Sequence, residues 1–181
     1  ARLNSSRLKE KVLTEIHGIP MVIHVAQRAS LSSAKNIVVA TDDKKIAEVA
    51  SNYNFKSVMT NKNHLSGTDR CLEASDISMW SDQDIIVNVQ ADEPLIDPAL
   101  IDLVAKNVTE SESGYVTACS EFKSYKEFIN PNNVKVVLDN YSHALYFSRS
   151  SIPYSSSKDL SHNNYACLLY TSDAADDVRC V

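Results

Sequence analysis

Asn36-Ile37-Val38-Val39-Ala40-Thr41, followed at once by Asp42-Asp43, decides the fold class. A short run that is apolar on both faces is the signature of a strand buried in a parallel sheet, because helices cover such a sheet on each side. Asp42 or Asp43 then caps a helix in which Ile46, Val49, Ala50 and Tyr53 fall on one stripe. Phe55 to Met59 reads as the next strand, so the segment is a strand, helix, strand unit.

The rhythm repeats outward. Ser66-Gly67-Thr68-Asp69 reads as a turn capping a helix through Cys71 to about Ile77, and Asp84 to Gln90 (DIIVNVQ) as another buried strand. Asp97-Pro98 starts a helix, with the cap followed by proline at the first helical position, and Ile101, Val104, Ala105 and Val108 form its buried stripe. Tyr115 to Ser120 is expected as a strand. Val134 to Leu138 and His143 to Ser148, joined through Asp139-Asn140, read as a hairpin extending the sheet in antiparallel fashion.

Composition excludes several functions. Among 181 residues, 18 Lys and Arg face 23 Asp and Glu, a net charge of −5 that gives no global basic field for nucleic acid, and no apolar run approaches a membrane span. Gly18, Gly67 and Gly114 are too dispersed for a glycine-rich dinucleotide or P-loop motif. Cys71, Cys119, Cys167 and Cys180 show neither pairing motif nor disulfide framework, and the histidines lack zinc-site spacing. A reducing cytoplasm fits this usage.

Ligands of open α/β sheets sit beyond the carboxyl ends of the strands. Asp92 and Glu93 follow the 84–90 run there, and such carboxylates are either hard-oxygen ligands for Mg²⁺ or members of a solvated loop. Near the start, Arg2, Arg7, Lys9 and Lys11 stand against the single acid Glu10, with the hydroxyls of Ser5 and Ser6 between them. The cluster suits a polyphosphate, or is an exposed basic terminus. Ser66-Gly67-Thr68 either closes over a ligand or only caps its helix.

Seven ordered motifs discriminate between these readings: Ala1-Arg2-x-x-Ser5-Ser6-Arg7-Leu8-x-x-Lys11, Gly18-x-Pro20-Met21, Ala40-Thr41-Asp42-Asp43, His64-x-Ser66-Gly67-Thr68-Asp69-Arg70, Asn88-Val89-Gln90-x-Asp92-Glu93-Pro94, Asn130-Pro131-Asn132-x-Val134-Lys135-Val136-Val137 and Ala144-Leu145-Tyr146-Phe147-Ser148-Arg149. Together they resemble the CMP-KDO synthetases, the 3-deoxy-manno-octulosonate (KDO) cytidylyltransferases. The related CMP-sialic acid synthetases share the basic opening but not usually Val-Gln-x-Asp-Glu-Pro. The resemblance implies a Rossmann-like α/β/α nucleotidyltransferase sandwich in the bacterial cytoplasm, usually a homodimer, joining CTP and KDO to give CMP-KDO and pyrophosphate on the route to lipopolysaccharide. It implies that Arg2, Arg7 and Lys11 hold the triphosphate, Arg2, Lys11 and Asp92 being the catalytic set. Ser66, Gly67, Thr68 and Arg70 would lie by the nucleotide, Asp92 would bind Mg²⁺, and Gln90 and Arg149 would face the sugar acid. A cytidylyltransferase for another acid sugar, or a non-catalytic nucleotide-binding fragment, are the alternatives.

The chain departs from the pattern in places. Lys9-Glu10 replaces a Pro-Gly, which sets a negative charge beside the phosphate site, and Ala91 replaces the glycine before the metal aspartate. The first strand of the family pattern and its distal metal-binding aspartate are not found. Residues 1–166 are therefore expected to be a partial nucleotidyltransferase domain, binding CTP weakly and not turning over. Residues 167–181 are expected to be a non-native or disordered tail, since Leu168 to Asp176 reads like translated sequencing-adapter DNA.

Overall fold

The computed structural model describes residues 1–2, 10–111, 114–154 and 165–167. Ser5, Ser6, Arg7 and the tail from 168 onward lie outside them. The chain divides into two compact units, Ala1–Lys106 and Asn107–Val181.

The first unit opens with a 3₁₀ turn at Lys11–Leu13 and a two-residue hairpin of β1 (Glu15–Ile16) and β2 (Ile19–Pro20). His17 and Gly18 form its tip with φ of 52° and 78°, the pair of left-handed residues that a type I′ turn demands. Helix α1 (Met21–Ala29) follows directly and buries Val22, Ile23, Val25 and Ala26. β3 (Val38–Thr41), α2 (Lys44–Asn52) and β4 (Lys56–Met59) form the expected βαβ unit, with Val38 opposite Lys56 and Thr41 opposite Met59 in a parallel ladder. Asp43 is the cap of α2, its carboxylate accepting from the Lys45 amide at 2.8 Å. Ile23, Ile46 and Ala50 are wholly buried with Val12, Val22, Ala26 and Val39 in one core. Full burial of each isoleucine contributes roughly 2 to 3 kcal/mol.

Helix α3 (Gly67–Ile77) is capped by Ser66, whose hydroxyl accepts from the Asp69 amide at 3.1 Å. Helix α4 (Pro98–Glu110) begins after Asp97, which accepts from the Ala99 amide at 3.0 Å, and buries Ile101 and Val104. The expected strand at Asp84 to Gln90 is not formed. The segment has no ladder partner among the described residues, and Ile85 and Ile86 are 42% and 41% exposed. An apolar run becomes a strand only when a neighbour satisfies its backbone groups.

The second unit holds a four-stranded antiparallel sheet in the order β5 (Cys119–Glu121), β8 (Tyr165–Cys167), β6 (Lys135–Leu138), β7 (Ala144–Ser148). The β6–β7 hairpin is the expected one, with a register shift between Val137 and Leu138. Within the expected Tyr115 to Ser120 strand, Cys119 and Ser120 are the residues laddered among the described ones, opposite Cys167 and Ala166 of β8. Cys167, placed at the head of the unpacked tail by the sequence reading, is 6% exposed in the core with Val134, Val136 and Phe147. The short helix α5 (Tyr125–Phe128) buries Phe128 edge-on against Phe122. No described helix is long and apolar enough to cross a membrane.

Candidate functional site

Two contacts in the first unit converge on the turn at Gln90 to Glu93, which is closed by the Glu93 amide donating to the Gln90 carbonyl at 3.2 Å. The Lys11 ammonium donates to Asp92 Oδ2 at 2.7 Å, joining residues far apart in sequence. Both side chains keep partial solvent access, 37% and 28%, so the pair opens to an incoming anion at small cost. The backbone of Gly67 lies against the Gln90 and Asn88 side chains: a β-carbon there would stand 2.9 Å from Gln90 Nε2 and 3.2 Å from Asn88 Nδ2. The Gln90 amide in turn donates to Asn88 Oδ1 at 3.3 Å. Lys11, Asp92, Gln90 and Gly67 are thus gathered on one turn, and Ala91 between them packs on the hydrophobic core.

Burial, and after it the Asp92 charge, raises the Glu93 carboxyl above its ordinary value, with Lys11 opposing. The two adjacent carboxyls are hard oxygen donors, and the Lys11 ammonium occupies the Asp92 oxygen that a divalent ion would take. Among the described residues no group of three or more His, Cys, Asp or Glu is placed to hold a metal. Mg²⁺ here would take one protein carboxylate and complete its shell from water and phosphate, which is its usual habit.

The remaining expected residues divide. The Ala1 backbone nitrogen donates to the Ala40 carbonyl at 2.6 Å, which sets Arg2 at the carboxyl end of β3, where its side chain is exposed. Ser66 is buried and occupied as a helix cap, and Thr68 follows in the first turn of α3. Arg70, expected beside a nucleotide, is only 5% exposed and is turned inward. Its guanidinium donates to Asp42 Oδ2 at 2.8 Å and to Thr60 Oγ1 at 2.5 Å, tying α3 to the ends of β3 and β4. Arg149 belongs to the second unit, where its guanidinium donates to the Pro131 carbonyl at 3.0 Å.

Sequence reasoning missed the support of the 60–66 loop. Glu73 accepts from the Asn61 amide at 2.7 Å and pairs with His64 Nε2 at 2.5 Å, while Arg70 reaches the Asn61 carbonyl at 3.5 Å. The Asn61 peptide groups are therefore held by two residues one turn apart on α3. The signal was His64 itself, present in the quoted motif and given no role. An open cavity of about 360 Å³ lined by Asn36, Val38, Lys56 and Trp80 lies at the amino ends of β3 and β4, the end of the sheet away from such sites.

A family model for cytidylyltransferases matches residues 1–174. The 3-deoxy-manno-octulosonate cytidylyltransferase of Neisseria meningitidis serogroup C is 49% identical over 154 residues, which is 85% of this chain and 61% of that protein. The protein of the same name from Nitratiruptor sp. is 48% identical over 157 residues, 85% of this chain and 65% of its own length. The chain thus spans less than two thirds of the length of these relatives. A solved structure of CMP:2-keto-3-deoxy-manno-octonic acid synthetase complexed with CTP superposes with a TM-score of 0.80 at 34% identity, covering 93% of this chain and 68% of that one. The fold is accordingly the α/β nucleotidyltransferase fold. A structure of a cytidylyltransferase from Leptospira borgpetersenii matches more loosely, with a TM-score of 0.53 at 25% identity over 61% of this chain and 47% of that one. The chain belongs to the cytidylyltransferase family.

Proposed function

We propose that the protein of which this chain is a part transfers CMP from CTP to 3-deoxy-manno-octulosonate. The observation that carries the reading is the convergence of Lys11 and Gly67 on the Gln90 to Glu93 turn, in a chain whose relatives bear that enzyme's name. In the reaction the anomeric hydroxyl oxygen bonds to the α-phosphorus and gives up its proton to solvent, the bond from the α-phosphorus to the α,β-bridging oxygen breaks, and pyrophosphate leaves with that oxygen. Such a transfer needs in-line placement of the reactants and neutralisation of charge on the leaving group.

Lys11 exchanges Asp92 for a phosphate oxygen when the triphosphate enters, and Arg2 and Arg7 supply forked donors to the same chain of phosphates. Gly67 lets the backbone of the α3 start approach the ligand, with Ser66 and Thr68 flanking it, and Arg70 holds that start in place from below through Asp42 and Thr60. The family resemblance assigns Gln90 and Arg149 each to the sugar acid, whose carboxylate suits an arginine fork. Asp92 would hold Mg²⁺, which when bound offsets negative charge on the triphosphate. The working protein is a cytoplasmic homodimer serving lipopolysaccharide synthesis.

The test is pyrophosphate release with competing nucleotides and sugar acids. CTP is expected to be preferred over UTP and ATP, because a site that pairs with an amino group leaves buried acceptors unsatisfied when offered a carbonyl. KDO is expected to outcompete other acid sugars. Equal release from CTP and ATP overturns the reading.

A further inference from the structure

Lys135 opens β6 and is completely buried, whereas lysine is almost never so buried unless paired. Among the described residues no carboxylate pairs with it. Its ammonium instead donates to three backbone carbonyls, Asn130 at 2.7 Å, Asn133 at 2.9 Å and Arg149 at 2.8 Å. An ammonium has three N–H donors, so every one is used and the carbonyls form a closed cradle around it. Two of the three belong to the 130–133 turn, and the third belongs to the residue that follows β7. The Arg149 guanidinium reaches back to the carbonyl of Pro131 in the same turn at 3.0 Å. Arg149 is therefore held at both ends, by its own carbonyl on Lys135 and by its side chain on the turn that Lys135 organises.

A buried charge is expensive even when its donors are met, and an apolar residue of similar length would fill the position without that cost. What the ammonium provides and an apolar chain does not is a fixed junction between the turn and the strand end. We propose that Lys135 is a positioning residue that presets the Arg149 guanidinium for a carboxylate ligand, its selectivity resting on one buried cation that never touches the ligand. The inference rests on the sugar-acid role given above to Arg149, and the experiment separates the two.

The first measurement needs no variant. In the unmodified chain, NMR is expected to show through-hydrogen-bond couplings from Lys135 ¹⁵Nζ to the carbonyl carbons of Asn130, Asn133 and Arg149. Absence of the Arg149 coupling overturns the proposal. The second compares Lys135→Met, which keeps length and loses the donors, with the unmodified chain. The Arg149 Nε–H resonance is expected to move toward that of free arginine, KDO binding in the presence of CTP to weaken about tenfold, and CTP binding to change less than twofold. An unchanged Arg149 resonance, or equal loss of both ligands, overturns it. In Lys135→Ala, propylamine matches the deleted atoms and is expected to restore the Arg149 resonance, whereas propanol is not. Rescue by both alike also overturns it. If the unmodified chain shows the couplings but KDO does not perturb the Arg149 resonance, the sugar-acid reading fails, and with it the assignment of Lys135 to that ligand.

Discussion

Gly67 lies so close to Gln90 that a β-carbon on it would stand 2.9 Å from the Gln90 side-chain nitrogen. Gly67 is also the first residue of α3, where alanine is favoured over glycine by up to about 1 kcal/mol. The two facts pull Gly67→Ala in opposite directions. The far end of Gln90 can swing away, so thermal stability is expected to hold or rise slightly. CTP affinity is expected to fall about tenfold, the equivalent of one good hydrogen bond. Calorimetric titration beside a melting curve checks both, and parallel losses would mean that the contact only supports the fold.

Asp92→Asn keeps the shape of the side chain but removes the charge opposite Lys11. Turnover by the completed enzyme is expected to drop at least about a hundredfold, the scale of losing one preorganised charged group at a reacting centre. Near-normal rates for the Asn variant at saturating Mg²⁺ would remove Asp92 from the metal role.

Glu10 occupies the left-handed region with φ 56°, at a position where the family resemblance has glycine. That conformation costs a side-chain-bearing residue roughly 1 to 2 kcal/mol. The Glu10 carboxylate is engaged by Lys45 at 3.1 Å in an exposed pair that solvent screens strongly. Glu10→Gly is therefore expected to stabilise the chain, read as a rise in Tm. A fall would show that the Lys45 pair outweighs the backbone strain.

Donation from the Asn61 amide, then from His64, holds the Glu73 carboxyl below the ordinary glutamate value. A carboxyl depressed in the folded state adds stability that is present above its unfolded value of 4.5 and is lost as pH falls through the folded value. Glu73→Gln is expected to flatten the acid side of a Tm-against-pH curve in that window. An acid limb as steep as that of the unmodified chain would contradict it.

How much of this was legible before the structure depends on the range of the interaction. Ser66, Asp97 and one of Asp42 and Asp43, which the structure resolves as Asp43, were readable as helix caps because a cap is decided within three residues. The 84–90 run was not, since its apolar pattern says nothing about whether a partner strand lies alongside. The resemblance put Lys11 and Asp92 in one catalytic set, but their direct contact at 2.7 Å is visible only in the fold. Arg70 was placed by the nucleotide through the resemblance alone, and its buried pairing with Asp42, 28 positions earlier, is visible only in the fold. Lys135 stood in plain view as a cation inside Val134 to Leu138, a break in an apolar strand pattern that deserved a reason.

We propose that this chain carries the nucleotide site of a KDO cytidylyltransferase. The measurement that tests it most directly is ³¹P NMR of the chain completed at both ends with a relative's residues, incubated with CTP, KDO and Mg²⁺. The account predicts a new phosphodiester signal and pyrophosphate appearing in equal amounts, dependent on KDO and abolished by Asp92→Asn. Pyrophosphate released without KDO, or no phosphodiester signal from a well-folded completed chain, would contradict it.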